Sequence, residues 1–166
     1  VTDTLKPSTD FRSAIEATND PAVAWAALQR LADVLFGVKL FTVSTVDMTA
    51  GLSRRLFTSD PASYPVSGTK PISKDAWYEQ VVAGRQNFIK NTLAEISGHF
   101  PDYELIGSLG CGSVLNMPVV LGGEVVGTVN CLGAEHHFTP QRIAASEHLR
   151  LPALAAFLIF HNAGRG

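Results

Sequence analysis

A chain of 166 residues has the usual size of one domain, which argues against separate cofactor and substrate lobes. With 46% hydrophobic and 17% charged residues it can bury roughly 70% of the surface its unfolded form exposes, which excludes global disorder. Thirteen Lys and Arg against fifteen Asp and Glu, net −2, leave no surplus of positive charge to condense on nucleic acid or an anionic membrane.

The opening decapeptide VTDTLKPSTD is polar and interrupted by Pro, and reads as a flexible arm before a short helix from about Phe11 to Thr18. Asp20 and Pro21 form an N-cap and first-turn pair, because Pro lacks only a donor that the first turn leaves unpaired. The helix they start carries Trp25, Leu28, Leu31, Ala32 and Leu35 on one stripe and stops at Gly37. From Val38 the run VKLFTVSTVD, a turn at Thr49–Gly51 and then LSRRLFT predict a hairpin. Alternation places Leu40, Thr42, Ser44 and Val46 on one face of its first strand and Phe41, Val43 and Thr45 on the other. Ser59 to Pro71 has three Pro and one Gly in thirteen residues and reads as a long loop of functional type.

Ser73 is positioned to cap a helix running to about Ala83 and closed by Gly84, with QNFIKN as a short strand after it. Thr92 and Glu95 make a capping box, and short helical pieces are interrupted at Gly98 and Pro101. SVLNMPVVLGGEVVGTVNCLG then reads as two strands joined by a two-residue turn at Gly122 and Gly123. Pairing Leu121 with Glu124 sets Cys131 opposite Val114. It groups Ser113, Leu115 and Met117 with Leu132, Asn130 and Thr128 on one face, and puts Asn116 on the other. Thr139 and Pro140 begin a last helix to about His161, kinked at Pro152. Its stretch LRLPALAAFLIF has only Arg150 as a polar residue and needs a second burial surface, most simply another copy of the chain, which predicts a homodimer through the terminal helices.

Two cysteines, Cys111 and Cys131, are too few for a disulfide framework or a cysteine-built metal site, and this usage points to the cytoplasm. The predicted register separates them by on the order of 10 Å, beyond the roughly 7 Å a disulfide spans. The N-terminus has no charged-then-apolar leader. The charge-free run Leu151–Phe160 is ten residues, against the roughly 20 of a membrane span; neither export nor anchoring is expected. His136 and His137 are adjacent and point apart, so they read as turn residues and no metal site is predicted. GxGxxG, GxxxxGK[ST] and GxSxG motifs are absent.

The order of elements, carried by SVLNMPVVLGGEVVGTVNCLG followed by FTPQRIAASEHL, resembles the GAF domain, a relative of the PAS fold. The resemblance covers about Phe11 to Phe160, giving a flexible arm at 1–10, a GAF-like domain at 11–161 and a tail at 162–166. It implies an α+β fold with a central antiparallel sheet of five to six strands. Terminal helices would cover one face, and loops and short helices would roof a small-molecule pocket on the other. No cyclic-nucleotide signature of the Asn-Lys-x-x-x-Phe type is present. The cysteines lack the helical or loop setting and neighbouring His of bilin-binding members. The clustered cysteines and last-strand carboxylate of the free methionine sulfoxide reductases are missing.

Asn130 and Thr128 are expected to project from a strand into covered space, where an unpartnered amide or hydroxyl costs roughly 1 to 3 kcal/mol. One solution is a pocket floor shared with Ser113, Thr42 and Ser44; the other is ordinary bonding to backbone or water. From Arg54 to Lys90 there are six basic residues against three acidic ones, which suggests a small, anionic ligand near Arg54 or Arg55 and Lys70, or else a solvated cationic surface. Parity cannot choose between Arg54 and Arg55. Tyr64, Trp77 and Phe88 are candidates to stack on a planar ligand, or core residues. Asn91 completes the candidate ligand-binding set. The leading reading is a non-catalytic, dimeric sensory module that signals through its terminal helices. The alternatives are a redox enzyme of the free methionine sulfoxide reductase type using Cys111, and a ligand-free dimerisation module.

Overall fold

The computed structural model of the protein describes residues 5–66 and 68–164. The chain divides into two compact units, Val1–Gly37 with Gln141–Gly166, and Val38–Pro140.

The first unit is helical. Helix α1 spans Leu5–Glu16, so it begins six residues before the expected start at Phe11, and residues 5–10 are helix instead of flexible arm. Pro7 lies in its first turn, where a missing N–H costs nothing. Residues 1–4 of the expected arm, and 165–166 of the expected tail, lie outside the described residues. Helix α2, Pro21–Phe36, starts as its sequence dictates: Asp20 accepts from the Ala22 N–H, and Gly37 closes it at φ 71°. Trp25, Leu28, Leu31 and Ala32 are buried, with Leu35 half-buried. The last helical segment comes in pieces: α6 (Pro140–Ser146), a 3-10 turn at Glu147–Leu149, and α7 (Arg150–Ala163). The break precedes the expected kink, and Pro152 falls in the first turn of α7, again the tolerated place. Trp25 of α2 packs edge-on against Phe157 of α7, ring centroids 5.0 Å apart. Pro140–Ala163 as a whole is long and apolar enough to cross a membrane by length and composition, with 28% of its apolar window buried.

The second unit is built on a six-stranded antiparallel sheet of order β3-β2-β1-β6-β5-β4. The strands are β1 (Leu40–Asp47), β2 (Leu52–Thr58), β3 (Thr69–Pro71), β4 (Phe88–Lys90), β5 (Ser113–Leu121) and β6 (Glu124–Gly133). Strand β3 is carved from the end of the segment expected to be loop; Pro71 is acceptable there because the strand lies at the sheet edge. Between β3 and β4, Asp75, not Ser73, caps helix α3 (Ala76–Tyr78), which runs into a π-helical turn at Glu79–Ala83. The Thr92–Glu95 capping box forms and starts α4 (Leu93–Ser97), followed by α5 (Tyr103–Ser108). Gly122 and Gly123 adopt φ 60° and 86°, the left-handed pair a tight hairpin turn requires.

Two bulges set which side chains share a face. Leu121 pairs with Glu124 and Val120 with Val125, but Val119 pairs with Gly127. Val126 is therefore an extra residue, and every later pair slips by one. Leu115, not Val114, faces Cys131, and Asn116 stands opposite Asn130. In the first hairpin Val43 pairs with Phe57 and Ser44 with Arg55, which leaves Leu56 as the extra residue.

Candidate functional site

On the face of the sheet unit that bears Thr42 and Asn130 lies a cavity of about 740 Å³. Its floor is made of two adjacent cross-strand rungs. One runs Thr42, Asn130, Asn116 across β1, β6 and β5, and the other runs Arg55, Ser44, Thr128 across β2, β1 and β6. All six line the cavity. The rungs are two residues apart along the strands, which separates them by about 7 Å.

The first rung is a directed hydrogen-bond relay. Trp77 Nε1 donates to Asn116 Oδ1 at 3.0 Å, Asn116 Nδ2 donates to Asn130 Oδ1 at 2.8 Å, and Asn130 Nδ2 donates to Thr42 Oγ1 at 3.2 Å. An indole N–H can only donate, so it fixes which end of the Asn116 amide faces it. That in turn fixes Asn130, and the Thr42 oxygen is left as acceptor within the chain of bonds. The relay leaves one N–H on each amide and the Thr42 hydroxyl proton as donors, beside the second lone pairs of the three oxygens.

The walls carry charge and aromatic surface. Tyr64 comes from the loop after β2, a loop shaped by Asp60, whose carboxylate accepts the Ser63 N–H and is held below the usual range by that bond first. The Tyr64 hydroxyl donates to Asp102 Oδ2, at the start of α5. Burial first, and then that bond, push the phenol well above its ordinary value, while nearby Arg55 opposes the shift. Tyr64 thus stays a neutral donor. Lys70 Nζ lies 3.8 Å from the same Asp102 oxygen. The Arg55 guanidinium sits 3.8 Å from the Tyr64 ring centroid and its Nη1 donates to the Pro65 carbonyl at 2.7 Å. Among the described residues no carboxylate lies within ion-pair distance of Arg55. His99 and Phe100 add to the wall, both edge-on to Phe88.

The family profile of the GAF domain matches residues 23–149. The chain belongs to the GAF domain family. Among solved structures it is similar to the GAF domain of a two-component sensor histidine kinase from Bacillus halodurans, with TM-score 0.72 and 12% identity over 89% of this chain and 99% of that one. It is also similar to the GAF domain of a phosphoenolpyruvate-protein phosphotransferase from Coxiella burnetii, with TM-score 0.66 and 17% identity over 99% and 98%. A third is the free methionine-R-sulfoxide reductase from Neisseria meningitidis, with TM-score 0.65 and 14% identity over 92% and 87%. No curated protein matches. These identities carry the fold and nothing finer.

Within this GAF domain the cavity brings together Thr42, Ser44, Arg55, Tyr64, Lys70, Trp77, Thr128 and Asn130 of the residues singled out from sequence. Four others lie away from it. Arg54 pairs with Thr45 on the opposite face and is exposed, because the turn register that pairs Asp47 with Leu52 sets Arg55 opposite Ser44 instead. Ser113 is turned to the opposite face by the Val126 slip, fully buried, with its hydroxyl unpartnered. Phe88 stands on the relay rung opposite Asn116 but is a core residue, sealed beneath the rings of His99 and Phe100. Asn91 is structural: its amide donates to the Phe138 carbonyl and accepts the Phe138 N–H, both at 3.1 Å.

Sequence reasoning missed Asn116. Its signal was present, a polar residue in an otherwise apolar strand, but the unbulged register assigned it to the wrong face. Cys111 and Cys131 are both free and buried, and neither lines the cavity. Burial pushes the Cys111 thiol up, against a smaller opposing pull from Lys39, and raises Cys131 strongly. A thiol raised by burial is the reverse of an activated nucleophile.

Proposed function

We propose that this GAF domain is a non-catalytic sensory module that binds a small molecule in the cavity over Thr42, Asn130 and Asn116 and signals through its terminal helices as a homodimer. The observation that carries the reading is the relay beginning at Trp77. Four side chains from four elements are spent on holding hydrogen-bond donors in one orientation at the floor of a cavity about 740 Å³ in volume. A cavity of that size suits a small metabolite. Similar domains occur in a sensor histidine kinase and in a methyl-accepting chemotaxis protein, which accords with a regulatory role. The elevated Cys111 thiol, buried in the core and not part of the cavity lining, argues against thiol chemistry there. Occupancy signals only by favouring one arrangement of the helices over another, since equal affinity for both shifts no population.

The test is native mass spectrometry of freshly purified protein, with and without denaturation. The expected result is an adduct lost on denaturation, on a dimeric species, and retained in Cys111→Ser. A bare polypeptide mass under native conditions, in a protein whose thermal midpoint no small molecule raises, would overturn the reading.

A further inference from the structure

Resting on the reading of the cavity as a binding site, we propose that its ligand is an oxyanion-bearing small molecule, a carboxylate or a phosphate. The anion would lie on the Arg55, Ser44 and Thr128 rung, and a second acceptor would lie on the amide rung beside it. Three observations converge on this assignment.

The first is charge. Of the Asp102 carboxylate, Oδ2 is engaged by the Tyr64 hydroxyl and by Lys70 while Oδ1 is buried without a hydrogen-bond partner, and Asp75 accepts the Tyr78 N–H as the cap of α3. Arg55 has only neutral acceptors and an aromatic face for company: the Pro65 carbonyl and the Tyr64 ring. A guanidinium has five N–H donors, so most of its bonding capacity is not accounted for by those contacts. The second is register. The register of the first hairpin pairs Arg55 with Ser44, and Ser44 pairs with Thr128, so two hydroxyls stand beside the cation on one rung. Thr128 lines the cavity beside Arg55 and Ser44. The third is polarity. Because Trp77 fixes both amides, the neighbouring rung holds a spare N–H on each of them for an acceptor of the ligand. The aromatic walls at Trp77 and Phe100 leave room for an apolar or planar body between these ends.

The experiment uses the full chain and four probes of matched size: phenylacetate, phenyl phosphate, the neutral phenylacetamide and the cation phenethylamine. Affinity is read by thermal shift and calorimetry on wild type, Arg55→Gln and Arg54→Gln. One or both anions are expected to bind at least tenfold more tightly than the amide, and which anion wins distinguishes carboxylate from phosphate. Arg55→Gln is expected to erase that preference. Arg54→Gln loses the same charge from the opposite face of the same strand and is expected to keep the preference. Binding of the amide or the amine as tightly as either anion, or an anion preference that survives Arg55→Gln, overturns the assignment while leaving the cavity a binding site. Failure of all four probes, with a bare native mass, overturns both.

Discussion

Ser113 and Asn116 lie three residues apart on β5 and illustrate how the same chemistry meets opposite fates on the two faces of one strand. Asn116 is buried with its amide bonded to Trp77 and Asn130. Ser113 is equally buried, but its hydroxyl finds no partner among the described residues. An unsatisfied buried hydroxyl costs roughly 1 to 3 kcal/mol, and removing it relieves that cost without opening much of a cavity. Ser113→Ala is therefore expected to raise stability by up to about 1 kcal/mol, read as a higher midpoint in chemical denaturation. Asn116→Ala is expected to lower stability by about 1 to 3 kcal/mol, since it strands the Trp77 N–H and the Asn130 carbonyl oxygen. A loss of stability in Ser113→Ala would mean that the hydroxyl has a partner and the β5 faces are assigned wrongly.

At the scale of elements, what could be read from sequence was whatever local chemistry decides. The Asp20–Pro21 start and Gly37 stop of α2, the Thr92–Glu95 box and the Gly122–Gly123 turn each rest on residues whose bonding is satisfied within a few positions. The bulges at Leu56 and Val126 were not readable, because each is an apolar residue of ordinary strand type. An inserted residue is betrayed only by the partner strand. The Val126 insertion exchanged Ser113 for Asn116 at the site, while the turn register that pairs Asp47 with Leu52 chose Arg55 over Arg54. The start of α1 was misjudged for a different reason, that Pro7 was read as a breaker when its position in the first turn makes it harmless. The locally decided elements give a direct test. Thr92 Oγ1 accepts the Glu95 N–H at 3.2 Å while the Glu95 carboxylate takes the Thr92 N–H at 3.1 Å. Accordingly, Thr92→Ala is expected to cost about 1 kcal/mol, measured as a fall in the denaturation midpoint with an unchanged slope. A change in slope as well would indicate that α4 and its neighbours unfold separately from the rest.

At the scale of the whole molecule, assembly turns on the last helix. Along α7, Leu151 is 77% exposed and Leu158 41% exposed, and they are seven residues apart, on one stripe with the half-buried Leu154 and Ala155. The opposite stripe, Ala153, Ala156 and Phe157, is buried. A helix apolar on both sides needs two covers. Pro140–Ala163 would satisfy a bilayer by length. A bilayer would nevertheless have to take in the Glu147–Arg150 pair at the 3-10 turn, where the guanidinium and carboxylate meet at 2.5 and 2.9 Å in an exposed position, and charged groups are costly in lipid. The homodimer proposed above would cover the stripe and leave that pair in water. Leu151→Glu combined with Leu158→Glu is expected to convert dimer to monomer in sedimentation at micromolar concentration. Because both side chains are exposed, the unfolding free energy of the monomer should change by no more than about 0.5 kcal/mol per site. A wild-type protein that sediments as a monomer, or one that floats with phosphatidylcholine vesicles through Leu151 and Leu158, would remove the homodimer and with it the route from ligand to helices.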